Sequence, residues 1–147
     1  MKKLILLIGM VLAAYLGIHQ SPTSVQRDAG PAAAGGAEQS TLAQALATHA
    51  HGAEVTGSGI VVKVLRDDRE GSQHQKFLLR VESGETLLVA HNIDLAPRVD
   101  ALHEGDSVSF KGEYLWNPKG GVIHWTHRDP SGRHAMGWLK HNGQTFQ

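Results

Sequence analysis

Apolar positions fall into three regimes along the chain. Leu4 to Ile18 is an unbroken run of apolar or small residues behind Lys2 and Lys3, the layout of a signal peptide. At 15 residues the run is short for a membrane-spanning helix, which usually needs roughly 17–25. No A-x-A cleavage site adjoins it, so an uncleaved inner-membrane anchor is the alternative for residues 1–20. Residues 21–39 carry no large apolar side chain beyond Val25, and hold Pro22, Pro31, Gly35 and Gly36. A stretch of that kind cannot bury enough surface to fold and reads as a flexible tether. Residues 40–147 then form one domain, with its core in 54–147.

Within the domain the period changes from helical to alternating. Ser40 is placed to cap a short helix, with Thr41 in its first turn. Leu42, Ala45, Leu46 and Ala47 make a narrow apolar stripe before Gly52 stops it. Val55 to Leu65 is rich in valine and isoleucine, and its Gly57 and Gly59 suggest a bend or bulge. After a polar loop at 66–75, Lys76 to Val81 puts Phe77, Leu79 and Val81 on one face. Glu85 to Ala90 is continuous enough to be buried on both sides. Residues 91–102 are irregular, since Pro97 leaves room for at most one helical turn. Ser107 to Tyr114 alternates with Val108 and Phe110 inward, and Val122 to Trp125 is a fifth strand. Two short runs around Asn142-Gly143 close the chain, the strongest short-range hairpin signal.

Five strands in this order, with an irregular link between the third and fourth, resemble an oligonucleotide/oligosaccharide-binding (OB) barrel. LHEGDSVSFKGEY (102–114) looks like the fourth strand of that fold. The departure is the missing long helix before it. Another small β barrel or a sandwich is the competing architecture.

Charge narrows the function classes. Lysine plus arginine and aspartate plus glutamate both number 14, so the net charge is zero with histidine neutral. Residues 54–147 are also balanced, at 11 basic and 12 acidic residues. Strong non-specific nucleic-acid binding requires a basic surface that releases phosphate counterions, so nucleic acid is a ligand that the charge does not support. The absence of cysteine removes disulfides, thiolate metal sites and cysteine nucleophiles. Seven of the ten histidines lie in 54–147, and the domain should turn positive as pH falls through about 6.5.

Those histidines are the candidate chemistry. GVIHWTHRDPSGRH (121–134) gathers His124, His127, Asp129 and His134, donors suited to one divalent ion such as zinc. On an ideal strand His124 and His127 point to opposite faces, so they converge only if the strand ends near Trp125. Asp129-Pro130-Ser131-Gly132 also has ordinary turn chemistry, which accounts for Asp129 by itself. His91 and Asn92 follow a buried strand. They are either a strand-end turn or part of a binding face with Trp116, Lys119, Trp125 and Arg133, where aromatic rings would stack on a ligand. Core packing is the ordinary role of tryptophan in so small a domain. No nucleophile elbow, phosphate loop, dinucleotide fingerprint or calcium loop is present.

HQKFLLRVESGETLLVAHNIDLAP (74–97), GEYLWNPKGGVIHWTHRDPSGRH (112–134) and GWLKHNG (137–143) together resemble a family of short exported proteins of Gram-negative bacteria, described only as a domain of unknown function. The resemblance covers roughly residues 40–147. It implies export and a bacterial source, and supplies no activity, cofactor or site residue.

The leading reading is a periplasmic or secreted binding module on an OB-like barrel, its small or polymeric ligand held by His91 and the 116–134 region. The alternative is a metal-dependent hydrolase, most plausibly of phosphodiesters, with metal on His124, His127 and His134 and His91 as general base. A third is an envelope assembly partner that meets the membrane only through its N-terminal segment.

Overall fold

The computed structural model describes residues 41–147. The signal or anchor segment, the tether and the Ser40 cap therefore lie outside the described residues. A short helix, α1 (41–47), precedes seven strands. These are β1 (His51–Val64), β2 (His74–Val81), β3 (Thr86–Asn92), β4 (Ser107–Leu115), β5 (Val122–His124), β6 (Trp138–His141) and β7 (Gln144–Phe146).

Strand order is β1-β2-β3-β5-β4, and β4 pairs back onto β1 to close a five-stranded barrel. β3 and β5 run parallel, and the other pairs are antiparallel. That is the strand arrangement of an OB-like barrel. The β6–β7 hairpin extends the sheet from β4 beyond the end of the short β5.

Alternation along each strand fills the barrel. Phe77, Val89, Ile123 and Tyr114 form one inward row across β2, β3, β5 and β4, each pair in register, and each is at most 1% exposed. Val55, Val61, Leu79, Leu87, Val108, Phe110 and Leu139 complete the core. Leu42 and Ala45 of α1 are buried in the same core, so the narrow apolar stripe read from the sequence is the helix's packing face.

Gly57 and Gly59 of β1 are there for contact rather than for a bulge. A Cβ on Gly57 would lie 2.7 Å from Leu42 Cδ2, and one on Gly59 would lie 2.4 Å from the Arg80 carbonyl oxygen. The register shifts of β1 fall outside them, between Val61 and Lys63 against β2 and between His51 and Ala53 against β4. β1 also begins four residues before Val55, because His51 to Glu54 pair with β4 despite their polarity. The β3–β4 connection has no helix. Its Val99 and Leu102 drop into the core instead, and the buried Gln75 amide both donates to the Val99 carbonyl and accepts its N–H, each at 2.9 Å. Asn142 and Gly143 both have positive φ (48° and 76°), as a two-residue hairpin with a type I′ turn requires.

Candidate functional site

Strand parity sorts the candidate residues before any chemistry is considered. His91 lies within β3, not after it, and faces inward with Leu87 and Val89 at 0% exposure. Its Nε2 lies 3.1 Å from the Pro97 carbonyl oxygen and its Nδ1 2.8 Å from Thr126 Oγ1. A carbonyl only accepts, so Nε2 carries the proton and donates to Pro97. Nδ1 must then accept from the Thr126 hydroxyl. Burial drives its pKa down to about 4, against the hydrogen bond to Pro97. The ring is a neutral, fully engaged core group that ties β3 to the segments after β3 and β5. Asn92, next to it, is half-buried, and its side chain accepts the Asp94 N–H at 2.9 Å.

The 125–137 loop brings together Trp125, His127 and His134. Trp125 has φ 53°, a left-handed conformation that costs a non-glycine residue roughly 1–3 kcal/mol. The His134 ring stacks on it at 3.8 Å and 13°, and the His127 ring tilts against it at 5.3 Å. His127 is buried, with Nδ1–H donating to the Arg128 carbonyl at 2.7 Å. His134 Nδ1 lies 3.8 Å from Glu113 Oε2. A small cleft of about 110 Å³ opens here among Glu54, Lys111, Glu113, Trp125, His134 and Met136.

Asp129 organises this loop as a turn residue. Gly132 N–H donates to its carbonyl at 3.0 Å, the bond of the Asp-Pro-Ser-Gly turn. Its carboxylate accepts the Ser131 hydroxyl and the N–H groups of Ser131, Arg133 and His134 at 2.7–2.9 Å. Those bonds, the Ser131 hydroxyl first, hold its carboxyl well below the usual carboxylate range. Arg133 Nε donates to Ser131 Oγ at 2.9 Å. Asp129→Ala should therefore accelerate amide hydrogen exchange at Ser131, Arg133 and His134 while leaving the β2–β3 amides protected. Unchanged exchange in the loop would show that the carboxylate does not hold it.

The other two members of the sequence-derived binding set lie elsewhere. Trp116 is half-buried beneath α1, stacked on His49 at 4.5 Å with His51 at its edge. Lys119 is exposed in the β4–β5 turn, its N–H donating to Asn117 Oδ1 at 2.8 Å. His124 faces outward from β5, opposite Glu113. β5 does end at His124, but the inward turn of the chain carries His127 into a buried position, away from the face that His124 occupies. Among the described residues no three histidine or carboxylate side chains are grouped as metal ligands.

What the strands do assemble is an outward face. Leu78, Leu88, Val122 and Leu115 lie in one cross-strand row over β2, β3, β5 and β4, all half-buried. Beside it a second row carries Lys76, Ala90, His124 and Glu113. A shallow groove of about 400 Å³ runs here, its floor formed by Leu88, Ala90 and Val122 and its rim by His74, His124 and the acidic β1–β2 loop. His74 was not singled out in the sequence, because a histidine at a loop edge carries no signal there. Its ring lies 6.0 Å from that of His124. Burial and the neighbouring His74 lower the His124 pKa, partly opposed by Glu113.

No curated protein and no solved structure matches the chain. The family described as "Protein of unknown function (DUF3465)" matches residues 30–147, and the chain belongs to that family.

Proposed function

We propose that the domain is an exported binding module that holds an uncharged, hydroxyl-rich ligand of the saccharide class on the outer face of β2, β3 and β5. The observation that carries this reading is the outward row Leu78–Leu88–Val122–Leu115 bordered by imidazole, ammonium and carboxylate groups. The row does nothing for the barrel core, which is already filled from the inner face. A sugar ring offers an apolar C–H face and an edge of hydroxyls, and so matches a floor of aliphatic side chains with mixed donors and acceptors around it. The face of β2 and β3 beside the β1–β2 loop is also where OB barrels bind polymers.

A nucleic acid is the less fitting polymer. The β1–β2 loop contributes Asp67, Asp68 and Glu70, and the ammonium of Lys76 lies 3.5 Å from Asp68. Arg66 and Arg69 of the same loop are outnumbered by these carboxylates, so the loop offers no cationic surplus for phosphates. Export rests on Lys2, Lys3 and the apolar run to Ile18.

Titration of the isotope-labelled protein with neutral oligosaccharides should shift the amide signals of Leu88, Val122 and His124, and Leu88→Asp should abolish the response. An oligonucleotide of matched length should shift none of them. Nucleic-acid binding on this face, or saccharide shifts confined to the Trp125 loop, would overturn the assignment.

A further inference from the structure

Two histidines on this face are arranged as a site of their own. We infer that His74 and His124 together bind one divalent transition-metal ion of the zinc or copper class through their two imidazoles, with solvent completing the shell. The site does not depend on the saccharide reading.

His74 is oriented as metal-binding imidazoles commonly are. Its Nδ1–H donates to the Ser72 carbonyl at 2.8 Å. That bond fixes the tautomer and leaves the Nε2 lone pair available. The His124 ring makes no hydrogen bond among the described residues, and it lines the same groove, half-buried. The two rings stand 6.0 Å apart, tilted by 51°. Two imidazole nitrogens each about 2.0–2.1 Å from a zinc ion place their ring centres roughly 5 Å apart. A side-chain adjustment of about 1 Å closes the difference without moving either strand. Both side chains project from the outer face of strands that flank β3 and pair with it, so backbone register brings them together.

Asp68 and Glu70 line the groove beside His74. Asp68 is already engaged, accepting the Glu70 N–H at 3.1 Å and facing Lys76. The exposed Glu70 lines the same groove and adds negative charge beside the two rings. Solvent completes the shell, leaving an open position.

The site differs from the 124–134 set read in the sequence. Only His124 is shared, because His127 and Asp129 are committed to their own loop.

Calorimetric titration of the full chain with zinc, in the absence of any saccharide, should show one equivalent bound. His74→Gln and His124→Gln should each weaken it about tenfold or more. His103→Gln, at an exposed histidine on the β3–β4 connection, should leave it unchanged. Both test side chains point outward, and matching amide spectra would show that the variants fold. No binding to the wild type, or binding that neither variant weakens, overturns the inference. If saccharide binding fails while zinc binding and its loss in the variants persist, the ligand reading falls and the metal site stands.

Discussion

Gly137→Ala is expected to destabilise the domain by about 3 kcal/mol or more, enough to threaten folding of the whole unit. A Cβ at Gly137 would lie 1.7 Å from the Trp125 carbonyl oxygen and 2.8 Å from that of Lys111. Both are backbone atoms, so no rotamer change relieves the overlap. Gly137 N–H also donates to the His127 carbonyl at 3.0 Å, and β6 begins at the next residue. Relief would have to come from pulling the loop or β6 away from β4, which would expose Leu139. Gly132→Ala is the matched comparison. Its Cβ meets nothing within 4 Å, but its φ is 66°, so the cost should be limited to roughly 1–2 kcal/mol of left-handed strain. Urea unfolding of both variants measures the contrast. A loss under about 1 kcal/mol for Gly137→Ala would mean that the loop does not pack on Trp125 as described.

Stability should fall by about 3 kcal/mol as pH drops from 6.5 to 4 through His91 alone. In the unfolded chain this imidazole takes up a proton near pH 6.5. In the folded barrel burial holds its pKa at about 4, with the charges of His127 and His74 adding to the effect. Between those values the unfolded chain binds more protons, so acid favours unfolding. Above the window the contribution is fully present. His91→Gln keeps a donor and an acceptor but does not titrate. It should cost stability at pH 7 and lose less of what remains on acidification. Equal pH slopes for wild type and variant, by urea unfolding at several pH values, would mean that the buried ring is not the acid-sensitive element.

His91 also shows where sequence reading reached its limit. Its place at the end of a buried run was visible, but whether it pointed in or out depended on the parity of β3. That parity is set by pairing, Gln75 opposite His91 and Phe77 opposite Val89. A shift of one residue would have put His91 on the outer face and Ala90 on the inner one. The same holds for Gln75, a polar residue that is 1% exposed because Val99, 24 residues away, offers both its N–H and its carbonyl to the amide. His141 and Asp106, 35 positions apart, meet at 2.8 Å for a similar reason. The outward groove was also unreadable, since its residues come from three strands and a loop and none is unusual in its own segment.

Local chemistry, by contrast, was legible. Phe77, Leu79 and Val81 alternate into the core, as do Val108 and Phe110. Asn142-Gly143 and Asp129-Pro130-Ser131-Gly132 form the turns that their residues favour. The order of elements and the barrel class follow from such signals because each depends on neighbours within a few positions. What only the tertiary structure decided is which histidines share a surface. The 121–134 cluster is dense in sequence, yet β5 ends at His124 and the chain turns, burying His127 within its own loop and stacking His134 on Trp125. His124 instead meets His74, fifty residues earlier, because strand pairing across β2, β3 and β5 carries the two side chains to one outer face. Alternation fixes the two faces of each strand, whereas register alone determines which residues of different strands become neighbours on them.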